Sequence, residues 1–193
     1  MSETTRTPGQ IILSWWGRDL GHNPDFDNGA ARKARAELRR ADNPSEVLAL
    51  EATHRLHRGL VGAGAGPRFA GSGGPERLAL IAAVIAGLDA HARRSLAARF
   101  GEKQDDRPRL SHLRFQRILR AGEAWELAVR LRRVLPLAGR TANVAGLGND
   151  LLYWGEDVRN RWCFDYFGAT PPGEGDKPAN SQPLAATEQG LIP

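Results

Sequence analysis

The chain has one cysteine, Cys163, in 193 residues, so no disulfide can form within it. The aromatic run around that residue suits a buried, inert thiol better than a nucleophile. Lysine is nearly missing: Lys33, Lys103 and Lys177 are the only three, and all other positive side-chain charge is arginine. No apolar run approaches the roughly 20 residues that cross a bilayer. The N-terminus has no apolar signal core. A cytoplasmic protein with no membrane partner is therefore expected. Strand-like alternation is almost absent, and so is any internal repeat.

Catalytic signatures are lacking as well. His54 and His57 lie three apart on one helical face, a spacing metal ligands use, but no HExxH pattern or cysteine ligand accompanies them, and a surface or groove-lining pair is expected. Asp105-Asp106 and Glu156-Asp157 fall in a linker and near a helix break, where capping and solvation account for them. Gly62-Ala-Gly-Ala-Gly-Pro lacks the Lys-Ser/Thr of a phosphate loop and follows no strand. No serine sits in a nucleophile elbow. The expectation is a protein with no catalytic residue, metal or cofactor.

What is present is a core-forming composition, 41% hydrophobic, with a formal charge of +5 and a sequence pI near 10.1. The length allows one or two compact domains, and the basicity points to polyanions, nucleic acid first. Arginine's planar fork suits phosphates and base faces. A GC-rich genome would raise the Arg:Lys ratio regardless, so the ratio alone decides nothing.

Periodicity predicts helices almost throughout, an all-α fold. A short helix is expected at Gln10–Leu20 and a stronger one at Asn28–Ala41, after a breaker-rich loop. Asn43-Pro44-Ser45-Glu46 reads as cap, first-turn proline and capping-box glutamate, opening a helix that runs to about Leu60. The glycine-rich 61–74 stretch is expected to be a flexible loop, and Pro75 to open a long apolar helix reaching Phe100. A charged linker at 102–108 would separate an N-terminal helical half, 9–101, from a C-terminal one, 109–168. Helices are expected at Arg109–Gly122, Glu123–Leu135 and Ala142–Phe167, the last breaking near Gly155. Residues 169–193, polar, rich in Pro and Gly and net negative, read as a disordered tail.

Charge is unevenly spread. Residues 109–140 hold eight arginines against two glutamates, whereas 141–168 hold two arginines against four acids. At about 100° per residue, Ala30, Ala31, Ala34, Leu38 and Ala41 share one arc, with Arg32, Arg35 and Arg39 opposite and Lys33 and Arg40 flanking. Phe115, Ile118 and Leu119 likewise oppose Arg114, Arg117 and Arg120, and Arg130, Arg132 and Arg133 extend the basic surface. Ordinary solvated faces carry acidic partners, and here few are available. These eleven cations are the candidate nucleic-acid-binding residues, suited to sequence-independent backbone contact.

The C-terminal aromatics, Leu151-Leu152-Tyr153-Trp154 and Arg161-Trp162-Cys163-Phe164-Asp165-Tyr166-Phe167, could stack bases but are too densely placed to be all exposed, which favours core. With Leu135-Pro136-Leu137, Asn143-Val144-Ala145, Leu147 and Val158-Arg159-Asn160, this block resembles the C-terminal signature of the CasB family, the small subunits of the type I-E CRISPR Cascade complex. Trp15-Trp16, the Gly29–Ala41 stretch and Arg114-Phe115-Gln116-Arg117-Ile118-Leu119 are similar to the family's earlier pieces, so the resemblance spans about residues 10–168 and excludes the 61–74 loop and the tail.

That resemblance implies an all-helical, non-enzymatic subunit with two bundle-like halves, present in two copies. Its partners would be the crRNA-bearing backbone subunits and the large subunit of Cascade. It would also imply a basic surface for single-stranded DNA and the crRNA/DNA heteroduplex, stabilising the R-loop, with sequence reading left to guide pairing. Two other readings remain open: a scaffold touching only protein, and a stand-alone helical regulator of nucleic acid.

Overall fold

A computed structural model describes residues 6–171, in which ten α-helices are accompanied by four two-residue strands, the all-α class expected. Helix α1, Pro8–Arg18, starts on a capping box in which Thr7 and Gln10 satisfy each other's backbone amides. Asn28 caps α2, Gly29–Arg40, by accepting from the Ala31 amide at 3.0 Å. Asn43 caps α3, Pro44–Leu48, through Glu46 in the same way.

The single helix expected from Asn43 to Leu60 is in fact two, α3 and α4, Glu51–Leu60. Leu50 between them is extended, and the Thr53 hydroxyl donates to the Val47 carbonyl at 2.7 Å, offering the backbone a side-chain partner in place of a continued ladder. The 61–74 stretch is also not simply a loop. A wide helical turn, Val61–Ala65, continues α4 until Gly64 turns left-handed, and a tight turn, Gly66–Phe69, follows.

Helix α5, Gly74–Ala86, stops well short of the expected Phe100. Its chain breaks away at Gly87, where a Cβ would lie 2.6 Å from Leu135 Cδ1. Strand β1, Ala90–His91, then pairs parallel with β4, Thr141–Ala142, and Ser95 caps α6, Leu96–Gly101. These tertiary contacts override the apolar run.

The expected linker at 102–108 is a hairpin, β2 Lys103–Gln104 against β3 Arg107–Pro108, with Asp105 and Asp106 both at positive φ as a tight mirror-image turn requires. Helices α7, His112–Leu119, α8, Ala124–Val134, α9, Val144–Leu152, and α10, Glu156–Phe167, complete the described chain. The break between the last two falls at Gly155. Glu156 and Asp157 occupy the first turn of α10, where negative charge is favourable. The predicted tail, from residue 172 on, lies outside the described residues.

Every residue of α5 from Leu78 to Ala86 is buried, so α5 is the central element, with α2, α3, α4, α8 and α9 packed round it. Buried residues from Ile12 to Tyr166 form one hydrophobic cluster, drawing on both sides of the hairpin. α1 lies on α9, with Ile12 against Gly148, and α6 lies on α10. Most of the aromatic block is core, as expected. Trp162 and Tyr166 are buried and donate to Asp150 and to the Leu110 carbonyl, each at 2.7 Å, whereas Phe167 is 63% exposed. Cys163 is half-buried rather than enclosed.

At Gly101 a Cβ would sit 1.8 Å from the Tyr166 carbonyl oxygen, a backbone atom that cannot swing aside. Gly101→Ala is therefore expected to cost about 1–3 kcal/mol. In a chain this size each kcal/mol lowers Tm by about 2–4 °C, which calorimetry reads directly.

Candidate nucleic-acid interface

The basic surface is built first on α7. Phe115 and Ile118 are buried, which fixes the helix's roll and turns Arg114, Arg117 and Arg120 outward. None of the three has a carboxylate within ion-pair distance among the described residues. Helix α8 buries Leu127, Ala128 and Leu131 against α5, which brings Arg130 and Arg133 up beside α7. Arg130 donates to the Arg117 carbonyl and to the Glu126 carboxylate, so it staples the two helices together. The result is a groove of about 440 Å³ flanked by Arg114, Arg117, Arg130 and Arg133. Ile118, Val134, Pro136 and Leu137 form its apolar part.

A second cavity, about 490 Å³, opens beside it and shares Arg133. Arg39, Arg132, Arg133 and Arg140 face it, with Asp42 as its one acidic residue and Gly87 on its wall. Here two of the expected binding residues do structural work. Arg39 donates to the carbonyls of Ala86 and Leu88 at 2.6 and 3.2 Å and pairs with Asp89 at 2.5 Å, holding α2 to the end of α5. Arg132 donates to the carbonyls of Arg39 and, at 2.7 Å, of Ala41, joining α8 to the end of α2. Burial pushes the Arg132 guanidinium below its ordinary pKa, against the pull of Asp42.

The remaining α2 cations line neither cavity. Arg32 pairs with Asp27 at 3.2 Å, Lys33 with Glu37 at 3.9 Å, and Arg40 donates to its own helix at Ala36. Arg35 is half-buried, and Arg120, at the exposed end of α7, stands outside the groove. One lining residue was not anticipated, Arg140. It sits just past α8 in a left-handed turn, at φ 50°, and no helical periodicity could place it on a face. Its membership of the arginine-dense 109–140 segment was the only sequence signal.

Behind α2, His22 stacks on Trp16 with ring centroids 4.0 Å apart and planes 6° from parallel. Burial first, then Arg35 and Arg39, lower its pKa to about 4. The unfolded chain takes a proton on this imidazole near pH 6.5, the folded chain only near 4. The stability that neutral His22 contributes is thus full above pH 6.5 and is lost as pH falls towards 4. The His22 ring resonance is expected to titrate near 4 by NMR, and a midpoint near 6.5 would contradict this environment.

His54 and His57 line a separate apolar cavity with Leu48, Phe69 and Leu78, and His54 Nε2 lies 2.8 Å from the Leu48 carbonyl. Among the described residues no group of three or more His, Cys, Asp or Glu side chains is placed to hold a metal ion. None of the described helices is long and apolar enough to cross a membrane.

A helical body with one arginine-lined, two-cavity face defines a small basic all-α protein. Over residues 34–167 the chain matches the family described as CRISPR-associated protein Cse2, and it belongs to that family of Cascade small subunits. The match begins inside α2, so Trp15-Trp16 lies outside it. The crystal structure of CasB from Thermus thermophilus is similar, with a TM-score of 0.55 and 28% identity over 85% of this chain and 100% of that one. No curated protein matches the chain. The family read from the sequence is thereby shown.

Proposed function

We propose that this chain is a non-catalytic Cascade small subunit that holds the backbone of an opened nucleic acid, the displaced DNA strand or the crRNA/target duplex, along its arginine track and so stabilises the R-loop. Its partners on this reading are the crRNA-bearing backbone subunits, the large subunit and a second copy of itself. The observation that carries it is the junction of two arginine-lined cavities at Arg133, which makes one basic path from α7 across α8 to the end of α2. Such a path offers charge and no base-reading motif, which suits an arbitrary protospacer, since guide pairing reads sequence.

Guanidinium groups displace condensed counterions from phosphates, so affinity must fall with salt. If about four or five phosphates are neutralised, log affinity for single-stranded DNA should fall against log salt with a slope of about −3. Anisotropy titrations of the full chain measure it. A flat slope overturns the proposal and leaves a subunit that touches protein alone. That second reading has an observation of its own in the exposed apolar side chains of Leu113 (59%) and Phe167.

A further inference from the structure

The two cavities differ in a way that charge alone does not explain. The one beside α2 carries Asp42, and three of its arginines, Arg39, Arg132 and Arg140, are engaged with carbonyls. The α7–α8 groove has no carboxylate in its lining. Arg130 is held by Glu126 and the Arg117 carbonyl, while Arg114, Arg117 and Arg133 have no ion pair among the described residues. Between these three lies an apolar surface that includes Pro136 and Leu137, the latter 37% exposed in the middle of a basic track. Phosphates have no use for such a surface, and leaving it in water has a free-energy cost that burial by a ligand would remove.

Resting on the nucleic-acid role proposed above, we infer that the α7–α8 groove accepts an unpaired nucleobase on Leu137 and its apolar neighbours while Arg114, Arg117 and Arg133 take the flanking phosphates. The groove therefore selects single strands over duplex. At about 440 Å³ it has room for a nucleotide. In a duplex the base faces are stacked on one another and only the backbone reaches a protein surface. In a single strand they are open, and every base offers the same apolar face whatever its sequence. Planar guanidinium groups at the rim can lie along a base as well as against a phosphate. The groove holds no aromatic ring, so the gain per base is apolar packing, smaller than the stacking of dedicated single-strand binders.

The test uses the full chain and three oligonucleotides of equal length at moderate salt: a single strand, the same strand with abasic sites, and a duplex. Leu137→Ser removes the apolar contact at a half-exposed position, and Leu137→Met keeps it. The intact strand should bind about fivefold more tightly than the abasic one, in line with burial of a partial aliphatic side chain. Leu137→Ser should abolish that gap without changing the salt slope, and Leu137→Met should retain it. Equal binding of intact and abasic strands, with arginine reversal still weakening both, overturns the base-accepting groove and leaves backbone holding in place. Loss of all strand binding in the parent protein, even at low salt, overturns both. Should polyglutamate of matched charge compete as well as the intact strand, with Leu137→Ser weakening both alike, the groove is an acidic-peptide site and the inference is wrong.

Discussion

A chain carrying Arg114→Glu, Arg117→Glu and Arg133→Glu together is expected to lose single-stranded DNA by at least about a hundredfold at physiological salt, with a salt slope shallower by about 2. Its thermal transition should stay within a few degrees of the parent's. The binding effect is large because three attractions become three repulsions along one groove. The stability effect is small because all three side chains are exposed and none is in an ion pair among the described residues. In a reconstituted Cascade the same variant should form R-loops poorly on a matched target. The control is Arg32→Glu with Lys33→Glu on α2, which changes charge outside both cavities and should lower affinity far less. If the two sets weaken binding equally, the arginine track has no special standing and total charge alone is at work.

The largest stability loss is expected from Trp162→Ala. The indole is 1% exposed, stands at right angles to Trp154 with centroids 5.0 Å apart, and ties α10 to α9 by donating to Asp150. Truncating a buried tryptophan costs about 3–5 kcal/mol, a large part of a typical domain's 5–15. The change also deprives a nearly buried carboxylate of its indole donor, leaving Arg161 as its partner. Burial already holds the Asp150 pKa above its usual value, despite the indole and Arg161. A drop in Tm of about 10 °C or more is expected from melting curves. Trp162→Phe keeps most of the volume and removes only the hydrogen bond, so it should fall between the two. A melting point unchanged in the alanine variant would mean that α10 does not belong to the cooperative core.

Most of the helical scaffold was legible because its signals are local. Asn43 caps the helix it was expected to cap, α2 begins beside Asn28 where a helix was expected to start, Gly155 interrupts the last pair, and the rolls of α2 and α7 follow from the spacing of Leu38, Phe115 and Ile118. The misreadings have one origin. Periodicity reports which face is apolar but is silent about competition for backbone groups, so the carbonyl taken by Thr53 split one helix and the pairing of β1 with β4 just beyond Gly87 drew the chain away from another. A run as uniformly apolar as Leu78–Leu88 also carries no phase from which an end could be read.

By itself, then, the sequence determined the helical class, the family and the concentration of arginine in 109–140, all of which depend on residue type and short spacing. Tertiary structure alone decided how each arginine is employed. Arg132 meets the Ala41 carbonyl from 91 residues away, and Arg39 meets a turn formed where α5 ends, so both hold helices together at the wall of the second cavity. Arg133, one residue further on, is left exposed where two cavities join. A guanidinium satisfies whichever acceptors the fold brings within reach, and no rule of spacing along the chain can say which those will be.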